Sequence, residues 1–235
     1  MDEVATHVNG LVGDGSARAA TYYKREFWIQ ENQKHIPAHY RLHKLARIIT
    51  RLAGGRKIDL LDVGCGPATL MKLLPDNISY YGIDIAIHSA APNLVEADIV
   101  ESPILFGRKR FQIVVAQGLF EYLGDVQSRK FAEVASILDR DGIFLVTFTN
   151  FGHRNARAGG AFNNIQSAQE FSDGLAEHFR VDRSFPVSHT WRGGQPTRPM
   201  VKSVNMHMNV NIPYISPRLA VEYGFICSRA DAGGR

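Results

Sequence analysis

Residues 60–68 read Leu-Leu-Asp-Val-Gly-Cys-Gly-Pro-Ala: an apolar run passes through an acid, Asp62, into Gly64 and Gly66, with Cys65 between them. Glycine lets a chain reverse sharply and lets its backbone approach a ligand closely. The segment therefore predicts a strand, a tight turn and the opening of a helix at a small-molecule site. A dinucleotide-binding loop needs a third glycine at position 69; Thr69 stands there, so that pattern fails. A second carboxylate, Asp84, closes Tyr81-Gly82-Ile83-Asp84 eighteen residues after Gly66. At the C-terminal end of a strand, a carboxylate can accept two hydrogen bonds from a ribose diol. A third acid, Asp98, follows in Glu96-Ala97-Asp98. Each of the three also has an ordinary reading as a turn former or surface carboxylate.

These residues need a scaffold, and hydrophobic patterning supplies one. Residues 58–63, 80–85, 93–97, 111–116 and 142–149 are short apolar runs. Helical stretches lie between them at 68–74, stopped by Pro75, and at 128–138. Continuous apolar strands alternating with helices predict a parallel sheet covered on both faces. Ser167-Ala168-Gln169-Glu170 is a capping box that opens a helix toward His178, and residues 180–187 and 220–227 read as sixth and seventh strands. Ahead of the sheet, residues 21–34 place Tyr22, Tyr23, Phe27 and Trp28 on a short aromatic helix. A second helix starts near Pro37, has one apolar face of Leu42, Leu45, Ala46, Ile49 and Leu52, and stops at Gly54-Gly55. The chain divides into an N-terminal tail at 1–20 and a single domain at 21–235. That domain comprises a helical cap at 21–56, a core at 57–150 that carries the glycine turn, and a second half at 151–235. The second half contains a long loop at 188–218 with Pro196, Pro199, Pro213 and Pro217. A loop of that length in a compact domain is more often functional than idle.

Over 235 residues, 45% are hydrophobic and 21% charged, which excludes a disordered chain, a collagen-like chain and a coiled-coil rod. No apolar stretch approaches the ~18 residues of a membrane span. The start, Met1-Asp2-Glu3, lacks the features of a secretory signal. Cys65 and Cys227 are the only cysteines, too few for a disulfide scaffold, so a reducing cytoplasm is the expected setting. Charge is unevenly spread: residues 1–56 carry a net +4, 57–150 a net −4 and 151–235 a net +4. An acidic centre between basic flanks suits a cationic cofactor and an anionic acceptor; ordinary solvation explains it equally well. Nucleic-acid binders show denser Lys/Arg runs, and the one run here, Arg108-Lys109-Arg110, reads as a turn before a strand. His35, His39 and His43 share a helical spacing, but Pro37 interrupts it and no carboxylate joins them, so no metal site is expected.

Taken in order, the acid-Gly-x-Gly turn, the acid that ends the second strand and the acid after the third form a series. With Phe111-Gln112-Ile113-Val114-Val115-Ala116-Gln117-Gly118, they resemble the motifs of the class I S-adenosylmethionine-dependent methyltransferases. Gln112 departs from the Asp that commonly starts the fourth strand of that family. The resemblance covers residues 57–150 well, 21–56 loosely, and 151–235 only in the order of elements. It implies an α/β fold: a Rossmann-like, seven-stranded, mostly parallel sheet with helices on both faces, the last strand antiparallel. It also implies S-adenosylmethionine as cofactor and S-adenosylhomocysteine as product. The residues carried over are Asp62, Gly64, Cys65 and Gly66 at the glycine turn, Asp84 with Ile85 at the ribose, Asp98 with Ile99 at the adenine, and Gln117 ending the fourth strand. A Cβ at Gly66 is expected to fill the space of the methionine portion. Tyr22 or Tyr23 is expected to touch cofactor or acceptor, since ring faces attract a sulfonium; otherwise these rings pin their helix to the domain.

Methyl transfer is an in-line displacement, so the site chiefly aligns the reactants and excludes water. A general base helps when a hydroxyl, amine or carbon acid must lose a proton. Glu121 after the fourth strand, His153 past the fifth and His189 beside Trp191 are the candidates, with His207 behind them. Each has a structural alternative, as a helix-terminal acid or a surface histidine. The fourth strand lacks the Asn- or Asp-Pro-Pro-aromatic sequence of the exocyclic-amine methyltransferases of nucleic acid and protein glutamine. A small-molecule acceptor of natural-product or cell-surface metabolism is therefore expected, with oxygen ahead of nitrogen and carbon. Arg192, Arg198 and Lys202 in the long loop suit an acceptor with an acidic group. The competing readings are a nucleic-acid or protein methyltransferase and a non-catalytic S-adenosylmethionine-binding module. No membrane partner is expected, and monomer and dimer both stay open.

Overall fold

The apolar run that leads into the glycine turn is β1, Ile58–Val63, an interior strand of the sheet. The computed structural model describes residues 25–33, 36, 38–104, 106–152, 162–189 and 220–230. β1 lies parallel to β2 (Ile78–Asp84) on one side and to β4 (Phe111–Gln117) on the other. β3 (Leu94–Glu96) adds beyond β2, and β5 (Leu138–Thr149) beyond β4. β7 (Ala220–Arg229) inserts antiparallel between β5 and β6 (Phe179–His189), giving the order β3-β2-β1-β4-β5-β7-β6. This is the seven-stranded, mostly parallel sheet that the sequence implies. The strand order reverses between β1 and β4, and open α/β sheets bind ligands in the crevice at such a point.

Strand side chains alternate between faces, and the two faces build separate cores. Leu61, Val63, Val114 and Phe144 meet α3 (Gln127–Ile137) and α4 (Ala168–Ala176) through Phe131, Val134, Phe171 and Leu175. Leu60, Ile113, Val115 and Leu145 meet α2 (Tyr40–Ala53) through Leu45, Ala46, Ile49 and Ala53. Fully burying one Leu or Ile contributes about 1.5–3 kcal/mol, so this stripe fixes α2 on the sheet. The helix ends where the glycine pair predicts: Gly54 takes a left-handed φ of 58° and donates its N–H to the Thr50 carbonyl at 3.2 Å. The capping box also forms, with Glu170 N–H donating to Ser167 Oγ at 3.2 Å and Ser167 N–H to Glu170 Oε2 at 2.7 Å.

Two expectations change. The helix at 68–74 is instead a 3-10 turn over Thr69–Leu73, entered through Ala68 at a left-handed φ of 53°. A segment this short, ahead of Pro75, gains too few hydrogen bonds to offset α-helix nucleation. Thr69 Oγ1 donates instead to the Ile36 carbonyl at 3.1 Å. β5 begins at Leu138 rather than at 142, because α3 hands the chain directly to the strand. The aromatic helix is present as α1, Arg25–Gln33. Residues 1–24 and the segment 190–219 lie outside the described residues.

Candidate active site

Gly64 and Gly66 both adopt positive φ, 76° and 52°, a region that favours glycine. Three bonds lock the turn to β2: the Gly64 N–H at 2.8 Å and the Cys65 N–H at 3.2 Å both donate to the Ile83 carbonyl, and Gly66 N–H donates to Asp84 Oδ2 at 2.8 Å. Asp84 Oδ1 accepts the Ala86 N–H at 2.8 Å. Asp84 is therefore a splint for the glycine turn as well as a candidate ribose ligand, since each oxygen keeps a second lone pair. Burial pushes its pKa up, against the two backbone donors that hold it down. Cys65 fills a notch: a Cβ built on Gly82 would come within 2.7 Å of its sulfur. Burial raises its thiol pKa, so it is an inert packing residue.

Asp62 accepts the Tyr80 hydroxyl at 2.7 Å. Its pKa is pushed up to about 7 by burial, which outweighs that hydrogen bond. From above, α1 drops Asn32 onto the turn. Its Nδ2 donates to the Ala86 carbonyl at 3.1 Å, and its Oδ1 would lie 3.2 Å from a Cβ on Gly66. A Cβ at Gly66 would therefore press on Asn32. An exposed ion pair, Arg25 Nε to Glu96 Oε1 at 2.7 Å, ties α1 to β3.

The other end of the crevice is built by the 3-10 turn Phe120–Tyr122 after β4. Glu121 is 2% exposed, and its Oε1 accepts the Thr149 N–H at 2.8 Å. Its Oε2 is buried with no hydrogen-bond partner among the described residues. Desolvation pushes its pKa up to about 7, against the backbone donors. Trp28 meets Tyr122 edge-on at 5.3 Å, and Tyr122 meets Phe162 at 5.1 Å, forming an aromatic wall. Arg41 of α2 reaches Glu222 of β7 at 3.3 Å.

One cavity of about 450 Å³ joins the two ends. Asp62, Gly64, Cys65, Gly66, Asp84, Ile85, Asp98, Ile99, Gln117 and Glu121 all line it. Asp98 closes a local turn by accepting the Val100 N–H at 2.8 Å. The cavity fits S-adenosylmethionine: a turn with glycine at 64 and 66 lies beside an acid, and the Gln117 Nε2 amide is buried with no partner among the described residues. Tyr22, Tyr23, His153, Arg192, Arg198, Lys202 and His207 lie outside the described residues. His189 ends β6, with its side chain outside the description. Among the described residues, no group of three or more His, Cys, Asp or Glu stands close enough to hold a metal. The sequence reading missed Asn32, Arg41, Thr149 and Phe162. Glu222 had a signal, a lone carboxylate in an otherwise apolar seventh strand.

A family model described as a methyltransferase domain matches residues 38–186. The fold is similar to that of 1,6-didemethyltoxoflavin-N1-methyltransferase from Burkholderia thailandensis, solved with 1,6-didemethyltoxoflavin and S-adenosylhomocysteine. That likeness has 15% identity and a TM-score of 0.61 over 95% of this chain and 94% of that one. A putative methyltransferase of Haloferax volcanii, in complex with the Trm112 activator, has 12% identity and a TM-score of 0.61 over 89% and 97%. The N-methyltransferase NodS of Bradyrhizobium japonicum with S-adenosylhomocysteine has 10% identity and a TM-score of 0.54 over 87% and 99%. No curated protein matches the sequence.

Proposed function

The chain belongs to the methyltransferase-domain family as a class I S-adenosylmethionine-dependent enzyme, and we propose that its acceptor is a small molecule bound against Glu121 and the Trp28–Tyr122–Phe162 wall. The cofactor supplies a methyl group on a sulfonium, activated for displacement. In this reading Asp84 accepts the ribose diol, Asp98 the adenine amine, and the glycine turn passes beside the methionine portion. Gln117 donates its buried amide to the ligand. The observation that carries the proposal is the continuity of the cavity: the Asp84 end and the Glu121 end line one cleft of about 450 Å³. A volume of that order suits a small ligand.

Oxygen remains the first acceptor atom to test. Nitrogen is the alternative, since the B. thailandensis and B. japonicum neighbours are both described as N-methyltransferases. No helix among the described residues is long and apolar enough to cross a membrane, and a cytoplasmic setting is part of this reading. The test is incubation with S-adenosylmethionine labelled in its methyl group and a whole-cell extract that contains metabolites, protein and RNA. Label is expected to appear in the low-molecular-weight fraction. Label only on protein or RNA, or none moved, would overturn the small-molecule reading.

A further inference from the structure

Glu121 Oε1 is committed to the Thr149 N–H at 2.8 Å, while Oε2 is buried in the cavity wall with no partner among the described residues. A buried acceptor without a donor is costly, so this oxygen calls for a ligand that brings one. Thr149 is in register with Glu222 in the β5–β7 ladder. Glu222 is also buried; its Oε2 accepts from Arg41 Nη1 at 3.3 Å and from Ser188 Oγ at 3.3 Å. Two carboxylates thus flank the end of β5; Arg41 pairs with Glu222, whose Oε1 is likewise buried without a partner among the described residues, but of the two acids it is Glu121 that lines the cavity.

We infer that Glu121 Oε2 receives the proton released by an N–H or O–H acceptor on methylation, and that Glu222 is the positioning residue that keeps Glu121 able to take it. The inference rests on the small-molecule reading above. The acceptor is a nucleophile X–H, an amine, amide, phenol or alcohol. Its lone pair forms the X–C bond as the bond from the methyl carbon to sulfur breaks, and that electron pair stays on sulfur. The X–H proton passes to Glu121 Oε2, and its bonding pair stays on X.

A base works best when its pKa lies near the operating pH. Burial is the main reason Glu121 sits high, and the Glu222 charge adds to it. The groups that face this carboxylate are Glu222 from β7 and Arg41 from α2, whose guanidinium interacts with both acids. His39 ahead of α2 and Glu31 on α1 line the same cavity. β5 and the 162–164 segment present Thr149, Phe162, Asn163 and Asn164, which do not titrate.

The experiment has two arms, both with S-adenosylhomocysteine affinity measured alongside. In the first, Glu121 is followed by carboxyl ¹³C NMR in the S-adenosylhomocysteine complex, its signal assigned by its loss in Glu121→Gln. The midpoint is expected near neutrality, to fall in Glu222→Gln, and to stay high in Glu222→Asp, which keeps the charge. A midpoint at the usual ~4.3, or one that Glu222→Gln does not move, overturns the inference. In the second, wild type and Glu121→Gln are given labelled S-adenosylmethionine and the same acceptor fraction. Glu121→Gln is expected to lose ~100-fold or more of the transfer rate, with cofactor affinity kept. Transfer at the native rate by Glu121→Gln overturns this inference alone, whereas a wild type that moves no label overturns the small-molecule reading and the inference with it.

Discussion

The backbone N–H of Gly66 donates to Asp84 Oδ2 at 2.8 Å, so the residue that turns the chain after β1 is held by the acid that ends β2. The other oxygen of Asp84 takes the Ala86 N–H at 2.8 Å. One side chain therefore shapes the cofactor site before any cofactor arrives.

Replacing that side chain should separate shaping from binding. Asp84→Ala strands two buried donors, each costing about 1–3 kcal/mol, and should lower both melting temperature and cofactor affinity. Asp84→Asn keeps one acceptor oxygen. It should weaken S-adenosylhomocysteine at least tenfold, ~1.4 kcal/mol, in calorimetric titration. A folded Asp84→Asn with native affinity would remove Asp84 from the cofactor.

Gly66→Val should abolish cofactor binding through α1. At φ 52° the new side chain is strained, and its Cβ starts 3.2 Å from Asn32 Oδ1. Circular dichroism should show a folded chain, and titration no S-adenosylhomocysteine binding. Native affinity in that variant would mean that Asn32 and the glycine turn do not act together.

Stability should depend on pH in a direction set by buried acids. Asp62 and Glu121 are each pushed up to about 7 by burial. Unfolded carboxylates titrate near ~4, so between these limits the folded chain holds more protons. These two groups therefore favour folding most below pH ~4, and that contribution is lost as pH rises through about 7. Urea unfolding should show wild type less stable at pH 8 than at pH 5. Glu121→Gln should shrink the drop by about 1–3 kcal/mol. An unchanged drop would mean that Glu121 titrates like an exposed carboxylate.

The second core should be separable from the site. Phe171 of α4 is fully buried and stacks on Phe148 at 3.9 Å, on the face opposite α2. Phe171→Ala should cost about 3–5 kcal/mol in denaturant unfolding, with S-adenosylhomocysteine affinity unchanged at low denaturant. A large loss of affinity would show that this core also sets the cavity.

The sheet was legible because its signals are local and redundant. β1 has the bounds its apolar run marks, and α2 ends at Gly54, where glycine alone takes the left-handed turn without strain. Asp62, Asp84, Asp98 and Glu121 were legible because they follow or end strands, and strand ends meet at the crevice. Asn32 and Arg41 were not, since nothing local separates them from the other polar residues of α1 and α2; tertiary packing alone brings them to the cavity. The 68–74 segment differs for another reason: an apolar run between a glycine turn and Pro75 reads as a helix, but is too short to become one and forms a 3-10 turn.

The most direct measurement is a crystal structure with S-adenosylhomocysteine bound. The ribose is expected on Asp84, the adenine beside Asp98, and the sulfur facing the space bounded by Glu121, Trp28, Tyr122 and Phe162, with no protein donor on Glu121 Oε2. A ligand seated away from Asp84, a sulfur facing elsewhere, or a Glu121 Oε2 taken up by a protein donor would contradict that arrangement.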